Sequence, residues 1–261
     1  PLGVNNAWND MGIAIGDPDN DGDFDIFITN IHDAFTPMSD LQGRHNVLFR
    51  NDSGIGGLAF TEVAESMRVA TGDWGWGCTF VDIDHDGWQD IAQTNGFDVN
   101  PARGFSTDRT RLFYNQRNGS PFLDIASTIQ LDDDRIGASF VAFDADSDGD
   151  QDLLQTCLFE PASLRLNRLQ ESGTANSWIR IRPRSVVPGS SGQANHYAVG
   201  AVVRVQSSDS QIGTQSRLIS AGTSLLGQEP AEAHFGMGSA VSRAENVIVE
   251  WPSGLTTVYA D

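Results

Sequence analysis

The hydrophobic and polar residues of this chain fall into short runs that are typical of β-strands rather than helices. An apolar run precedes each of three acidic loops, and another strand-like run follows each loop. Further runs of β-forming residues come next, separated by Gly, Asp and Asn turns, with no helix-length amphipathic pattern between them. Four strands in a unit of about 60 residues predict a β-propeller blade.

The strand pattern is an internal repeat. Leu-Phe-Arg-Asn at 48–51 matches Leu-Phe-Tyr-Asn at 112–115 closely and Leu-Arg-Leu-Asn at 164–167 loosely. The segment at 59–64 aligns with the one at 121–126, which adds a fourth strand to the first two units. Self-similarity at a fixed spacing is the sequence signature of a repeat architecture.

The acidic residues are clustered in the three loops. Residues 17–25, 82–90 and 144–152 all fit D-x-D-x-D-G-x-x-D, and they hold 14 of the 35 Asp and Glu residues. The loops start 82 − 17 = 65 and 144 − 82 = 62 residues apart. The formal net charge of −19 argues against nucleic acid and anionic lipid as partners, because both would repel the chain. No apolar run is long enough to insert directly into a membrane.

The loop pattern predicts a calcium site. Asp at positions 1, 3 and 5 turns three carboxylates inward, Gly at position 6 permits the bend, and position 7 offers a backbone carbonyl, as at the start of an EF-hand loop. Position 12 carries no Glu in any loop, so we expect Asp at position 9 to close the site. Mg²⁺ fits an all-protein cage less well, and Zn²⁺ lacks its Cys and His ligands. The alternative is a solvated acidic turn.

The three loops with their flanking strands resemble the FG-GAP/VCBS repeat of calcium-binding β-propellers, seen also in integrin α-subunit heads. The C-terminal part resembles the ASPIC/UnbV domain of cartilage acidic protein-like proteins, through motifs at 176–181, 195–205, 215–217, 234–238 and 247–254. The resemblance implies a secreted or surface-exposed β protein, usually without known catalysis. No catalytic residue is carried over from it.

The resemblance also implies about three Ca²⁺ sites, whose ligands fall on positions 1, 3, 5 and 9 and on the position 7 carbonyl. In the first loop these are Asp17, Asp19, Asp21, Asp25 and the carbonyl of Asp23. In the second they are Asp82, Asp84, Asp86, Asp90 and the carbonyl of Trp88. In the third they are Asp144, Asp146, Asp148, Asp152 and the carbonyl of Asp150.

The predicted fold is all-β, with part of a larger propeller followed by a small C-terminal β domain. We place the blades at about 1–68, 69–130 and 131–172, and the ASPIC/UnbV-like domain at 173–261. Three blades do not close a propeller, so we interpret the sequence as a piece of a longer chain. We expect the Trp178 segment to stand in for the fourth strand of the third blade. One more strand is expected after the turn at 251–254, but the sequence stops soon after that turn.

Two pairs of residues outside the loops have alternative interpretations. Cys78 and Cys157 lie at similar depth in neighbouring blades, so either a disulfide or two buried free thiols fits the sequence. Trp74 and Trp76 would form a carbohydrate-stacking platform or, with more support, fill the wedge between blades.

Two of the five His residues have specific predicted environments. His234 is expected to be hydrogen-bonded within a β-core turn. His85, at position 4 of the second loop, is expected to point outward.

Function is predicted from the metal loops and from two long segments, 31–45 and 96–109. These segments, with Phe35 and Met38 in the first, are the candidate partner surface. The leading hypothesis is a non-enzymatic, extracellular, cell-surface or periplasmic module in which Ca²⁺ rigidifies loops that bind a protein or glycan. The alternatives are a polysaccharide lyase or hydrolase on a propeller scaffold, and an accessory subunit of a larger surface assembly.

Overall fold

The chain forms a series of small antiparallel sheets in a computed structural model. The structure describes residues 2–5, 9–31, 45–54, 57–97, 108–186, 194–239 and 244–260. These ranges contain strands and turns and no α-helix, so the all-β prediction is confirmed for them. No helix in the described ranges has the length and apolar character needed to cross a bilayer.

Three sheets follow one another along the first two-thirds of the chain, each a simple up-and-down meander. The first contains β1 (Asp10–Gly16), β2 (Asp25–Asn30), β3 (Val47–Asn51) and β4 (Phe60–Glu62). The second contains β5 (Gly75–Val81), β6 (Asp90–Asn95), β7 (Arg111–Tyr114) and β8 (Leu123–Asp124). The third contains β9 (Gly137–Phe143), β10 (Asp152–Cys157) and β11 (Ser163–Arg165). The meanders are compatible with blades of an incomplete propeller.

The C-terminal part contains a further set of paired strands. These are β12 (Ser177–Ile181), β13 (Ser185–Val186), β14 (Ala194–His196), β15 (Val202–Ser207), β16 (Thr214–Leu218), β17 (Ala233–Gly238), β18 (Ala244–Glu250) and β19 (Thr256–Ala260). The largest sheet has the order β16-β15-β18-β19, while β12 pairs with β17 and β13 with β14.

Three apolar clusters hold these sheets together. One joins the first two sheets and includes Phe27, Ile91 and Phe122, and a second joins the second and third sheets around Phe140. The third, around Phe235, lies within the C-terminal part. Burial of these large side chains supplies the main driving force for packing sheet against sheet.

One strand prediction is wrong, and one strand that the chain was expected to lack is present. The Trp178 segment does not complete the third sheet, because β12 pairs in register with β17, where Ile179 faces Phe235. The strand expected beyond the turn at 251–254 is present as β19, which pairs with β18. The proposed domain boundaries stay a prediction. The segments at 32–44 and 98–107, with Phe35 and Met38, lie outside the described residues.

Candidate metal centre

Each acidic loop connects the first two strands of its sheet, and all three loops share one backbone conformation. Position 4 has a positive φ in every loop, at Asn20 (55°), His85 (60°) and Ser147 (68°). Position 6 is also left-handed in each, at Gly22 (94°), Gly87 (89°) and Gly149 (100°). Gly adopts this region at no steric cost, which explains why Gly occupies position 6.

The loop conformation gathers three carboxylates in each loop. Ligand atoms lie within 4.8 Å of one another in the groups Asp17, Asp19, Asp21; Asp82, Asp84, Asp86; and Asp144, Asp146, Asp152. The structure thus brings together positions 1, 3 and 5 in the first two loops, and positions 1, 3 and 9 in the third. Asp148, at position 5 of the third loop, is outside its group.

The position 9 carboxylates are held by an Asn at the end of the third strand of their own sheet or just after it. Asn51 N donates to Asp25 Oδ1 at 2.8 Å, and Asn115 N donates to Asp90 Oδ1 at 2.7 Å. Asn167 N makes the same bond to Asp152 at 2.8 Å. Asp25 and Asp90 lie outside the carboxylate groups found among the described residues, so their role as ligands stays a prediction.

These three Asn residues hold the loops in place, a role that the loop pattern alone does not predict. The side chain of Asn115 also donates to the carbonyl of Pro18, and that of Asn167 donates to the carbonyl of Ile83, both at 2.8 Å. Pro18 and Ile83 occupy position 2 of the preceding loop, so each Asn ties its own loop to the one before. The Asn that recurs at the end of the Leu-x-x-Asn match in all three repeats is the sequence feature that could have predicted this role.

Position 7 of every loop is fixed by the same hydrogen bond. The N–H groups of Asp23, Trp88 and Asp150 donate to the carboxylate at position 5, at 2.8, 2.8 and 2.9 Å. This bond sets the direction of the peptide at the residue whose carbonyl is the predicted ligand. Ligation by these carbonyls stays a prediction.

Burial leaves the negative charge of the loops poorly compensated. Burial, together with the nearby charges of Asp86 and Asp84, raises the pKa of Asp82 to about 8. Burial likewise raises the pKa of Asp25 to about 8 and that of Asp17 to about 6. A buried carboxylate that is not neutralised by a cation prefers to bind a proton.

The residues fit a hard divalent cation. Asp17 Oδ2 and Asp144 Oδ1 are buried oxygens with no hydrogen-bond partner, and each belongs to one of the carboxylate groups. Unpaired buried acceptors are costly, and oxygen clusters of this kind are the ligand sets that Ca²⁺ prefers.

The second and third loops already contact protein cations. Arg117 Nε lies 2.6 Å from Asp86 Oδ2, and Arg180 Nη1 lies 2.7 Å from Asp144 Oδ2. In the described part of the chain, no ion pair reaches the three carboxylates of the first loop. The first loop therefore has the least competition for an added cation.

The C-terminal part packs directly on the loops. A Cβ on Gly149 would lie 2.1 Å from the Trp178 ring, and one on Gly87 would lie 2.6 Å from Ile212. Arg204 Nη1 donates to the carbonyl of Gly22 at 2.7 Å. Position 6 of every loop is thus a contact point for the C-terminal strands and their turns.

The prediction that His85 points outward is wrong. His85 is fully buried, and its ring lies 4.9 Å from that of His234 on β17. Burial lowers the pKa of His85 to about 4 and that of His234 to about 3. His234 Nε2 bonds the carbonyl of Gly149 at 3.0 Å, so it is hydrogen-bonded in the core as expected, although on a strand. Both rings are therefore uncharged at neutral pH.

The paired Cys and Trp residues also have defined environments. Cys78 and Cys157 are free thiols, the first buried and the second partly exposed. Trp74 stacks on Phe97 with ring centroids 4.3 Å apart, and Trp76 Nε1 donates to the carbonyl of Gly96. Both Trp residues are half-buried. Their rings therefore pack against neighbouring residues, whereas a carbohydrate-stacking platform would leave the ring faces open to solvent.

Comparison with known proteins supports the reading of the C-terminal part. Residues 190–261 match the family described as ASPIC and UnbV. Cartilage acidic protein 1 of Mus musculus is 27% identical over 248 residues, covering 93% of this chain and 34% of the relative. The Homo sapiens protein of the same name is 26% identical over 248 residues, covering 93% and 33%. The chain thus spans about a third of the length of these relatives.

Proposed function

We propose that this chain is a calcium-binding interaction module that works outside the cytoplasm and binds a protein or glycan partner. The observation that carries the proposal is the packing of the C-terminal part on three partly buried carboxylate groups, of which two have one arginine partner each and the first has no ion pair among the described residues. A bound Ca²⁺ would supply two positive charges and accept carboxylate and carbonyl oxygens as ligands. Asp17, Asp82 and Asp144 would hold the ion at the base of each loop.

The loops join the sheets to the C-terminal part, so neutralising them should stabilise both. Asn176 Nδ2 donates to the carbonyl of Asp84 at 2.7 Å, and Asn20 Nδ2 donates to the carbonyl of Ile212 at 3.3 Å. A loop that is held in one conformation keeps these bonds in place. We therefore assign the loops a structural role beneath the interaction surface, rather than a role as the surface itself.

The similarity to the two relatives supports an extracellular or cell-surface location, or a periplasmic one. Both relatives are named for cartilage and for acidity, and this chain carries a net charge of −19. Extracellular calcium modules bind with dissociation constants of about 0.1–1 mM, which suits a site that is permanently filled outside cells.

The proposed role is non-catalytic. His85 and His234 are enclosed between the loops and β17, where a polymer substrate has no access. Turnover of a polysaccharide by the purified chain would favour the lyase or hydrolase hypothesis instead. Co-purification with a stoichiometric partner would favour an accessory subunit of a larger assembly.

The experiment is calorimetric and thermal titration with Ca²⁺. At a free Ca²⁺ concentration 100 times the dissociation constant, one site adds roughly 2.7 kcal/mol to stability. We expect chelation to lower the melting temperature, Ca²⁺ to restore it and Mg²⁺ to fail. Asp17→Asn, Asp82→Asn and Asp144→Asn should each remove one bound ion, whereas Asp134→Asn, at an exposed position, should remove none. A melting temperature that does not change when chelator is added would contradict the proposal.

A further inference from the structure

Among the described residues, the third sheet has no counterpart of the fourth strand that covers the outer edge of the first two sheets. In those sheets β4 pairs with β3 and β8 pairs with β7. The third sheet, with the order β11-β10-β9, has no described strand beyond β11. Asn167 nevertheless makes the same bond to its loop as Asn51 and Asn115 do. The strand β11 is therefore built and placed like β3 and β7, but its outer edge is uncovered in the described chain.

A cavity of about 650 Å³ lies beside this edge. Its lining includes Ile83, Tyr114, Ile125, Ile129 and Asn167. One repeat earlier, the matching positions Pro18, Arg50, Val63, Met67 and Asn115 line a cavity of about 90 Å³. The two cavities are the same site in successive repeats, and the later one is about seven times larger.

Phe122 explains the difference in volume. It precedes β8, lines the smaller cavity and is buried against the first two sheets. Its N–H donates to the carbonyl of Met67 at 2.9 Å. Ile129 is the position that matches Met67, and it is 46% exposed. The described segment after β11 contributes Leu166 and Leu169 to the larger cavity, but no aromatic ring in the place of Phe122.

The two covered sheets define what would fit the uncovered one. Each fourth strand places an acidic residue opposite β3 or β7, Glu62 facing Phe49 and Asp124 facing Phe113. Each carboxylate accepts two backbone N–H groups, those of Leu48 and Ala64 for Glu62. An aromatic residue, Phe60 or Phe122, lies two positions before the acid. A fourth strand that covers this edge therefore has the sequence pattern aromatic-x-acid, followed by an aliphatic residue and Ala.

The charge of the open edge complements such a segment. Arg165 of β11 occupies the position that faces the acid in the other sheets, since Arg165 pairs with Leu153 as Phe113 pairs with Ile91. The side chains of Arg165 and Arg168 are 43% and 58% exposed and pair with Asp133 and Glu171 of this chain, so an acidic segment would share these two cations. In a chain of net charge −19, this edge is a place where an acidic segment meets positive charge.

We propose that the edge of β11 and the cavity beside it bind an extended segment of a partner protein with the pattern aromatic-x-acid-aliphatic-Ala. The segment adds a fourth strand to the third sheet and places its aromatic ring in the cavity, as in other cases of strand addition. This inference rests on the proposed interaction role, and adds to it the surface and the chemistry of the partner.

The test uses a synthetic peptide with the sequence of residues 120–127, Ser-Pro-Phe-Leu-Asp-Ile-Ala-Ser, labelled at its N-terminus. We expect saturable binding by fluorescence anisotropy. A peptide with the Phe122→Ala change should bind at least about tenfold more weakly, because it loses the burial of one aromatic ring. Equal binding by the two peptides, or no binding by the first, would overturn the proposal.

Protein variants locate the site. Ile129→Arg should abolish peptide binding, whereas Leu255→Arg, at a more exposed position in the turn before β19, should leave it unchanged. Binding that survives Ile129→Arg would overturn the assignment. Self-association of the chain would also overturn the assignment if the Ile129→Arg change abolished it, because the bound segment would then belong to a second copy of this chain.

Calcium titration separates this inference from the proposed function. If the chain binds the peptide but its melting temperature does not change with chelator, only the calcium role is contradicted. Failure of the peptide with a normal calcium response would contradict the strand site alone.

Discussion

The carboxylate of Asp82 and the backbone of Gly236 meet across 154 residues of sequence. Gly236 N donates to Asp82 Oδ2 at 3.1 Å, in a buried position between the second loop and β17. Gly238 N, two residues on, donates to the carbonyl of His85 at 2.9 Å. The strand β17 is thus bonded to the same loop that gathers the second carboxylate group, which couples the metal site to the C-terminal part.

Gly236→Ala tests this coupling. A Cβ at position 236 would lie 2.2 Å from Asp82 Oδ2 and 2.4 Å from the backbone of His85. We expect a loss of about 1–3 kcal/mol in the free energy of unfolding, the usual cost of overpacking, measured by urea denaturation. Gly222→Ala is the control, because its Cβ meets a neighbour only at 3.8 Å. Equal stability of the two variants would contradict the close contact.

The carboxylate of Glu229 should make stability depend on pH. Part of the residue reaches the surface, but its carboxylate is enclosed and accepts a hydrogen bond from Thr79. Burial raises the pKa of Glu229 from 4.5 to about 7. The folded state therefore keeps a proton that the unfolded state has lost, and this contribution to stability is lost as pH rises from about 4.5 to 7.

Glu229→Gln removes that titration. In saturating Ca²⁺, we expect the free energy of unfolding to fall less steeply between pH 4.5 and 7 than in the parent chain. The difference should be of the order of 1–3 kcal/mol across the window. Glu65→Gln, at an exposed position, should leave the slope unchanged. Parallel pH profiles for Glu229→Gln and the parent would show that this carboxylate titrates normally.

The two thiols should differ in reactivity. Cys78 is fully buried and Cys157 is partly exposed, and burial raises the pKa of both thiols. We expect iodoacetamide to label Cys157 slowly in the native chain, and Cys78 only after unfolding, as read by mass spectrometry. If neither thiol is labelled in denaturant until a reductant is added, the pair forms a disulfide.

Sequence reasoning predicted the local structure of the loops well. Alternating apolar residues specify strands, and Asp at positions 1, 3 and 5 with Gly at position 6 specifies a tight carboxylate turn. Asp17, Asp19 and Asp21 meet as expected, because all their determinants lie within a few residues of one another. Whether Ca²⁺ binds there stays a prediction.

What the sequence did not predict depends on partners far along the chain. His85 was expected to be exposed because it lies in a polar loop, but β17 covers it with His234. Likewise, the Trp178 segment was expected to be the fourth strand of the third blade, but it pairs with β17 rather than β11. Local patterns determine which segments become strands, whereas pairing between distant strands depends on tertiary packing.

Arg117 should weaken Ca²⁺ binding at the second loop. Its Nε lies 2.6 Å from Asp86 Oδ2, and Asp86 is buried. An added ion must share this carboxylate with the guanidinium, which repels it. We therefore expect Arg117→Ala to bind Ca²⁺ about threefold to tenfold more tightly at this site, with lower stability in chelator because Asp86 loses its cation.

Arg109→Ala is the matched control. Arg109 also pairs with an Asp, Asp132, at 2.6 Å, but this pair is exposed and does not involve a predicted ligand. Its removal should change neither the calcium isotherm nor the melting temperature in chelator. Arg117→Ala should act on one of the three sites, so the isotherm gains one tighter step and keeps its stoichiometry. Weaker binding after Arg117→Ala would show that the guanidinium orients Asp86 for the ion rather than competing with it.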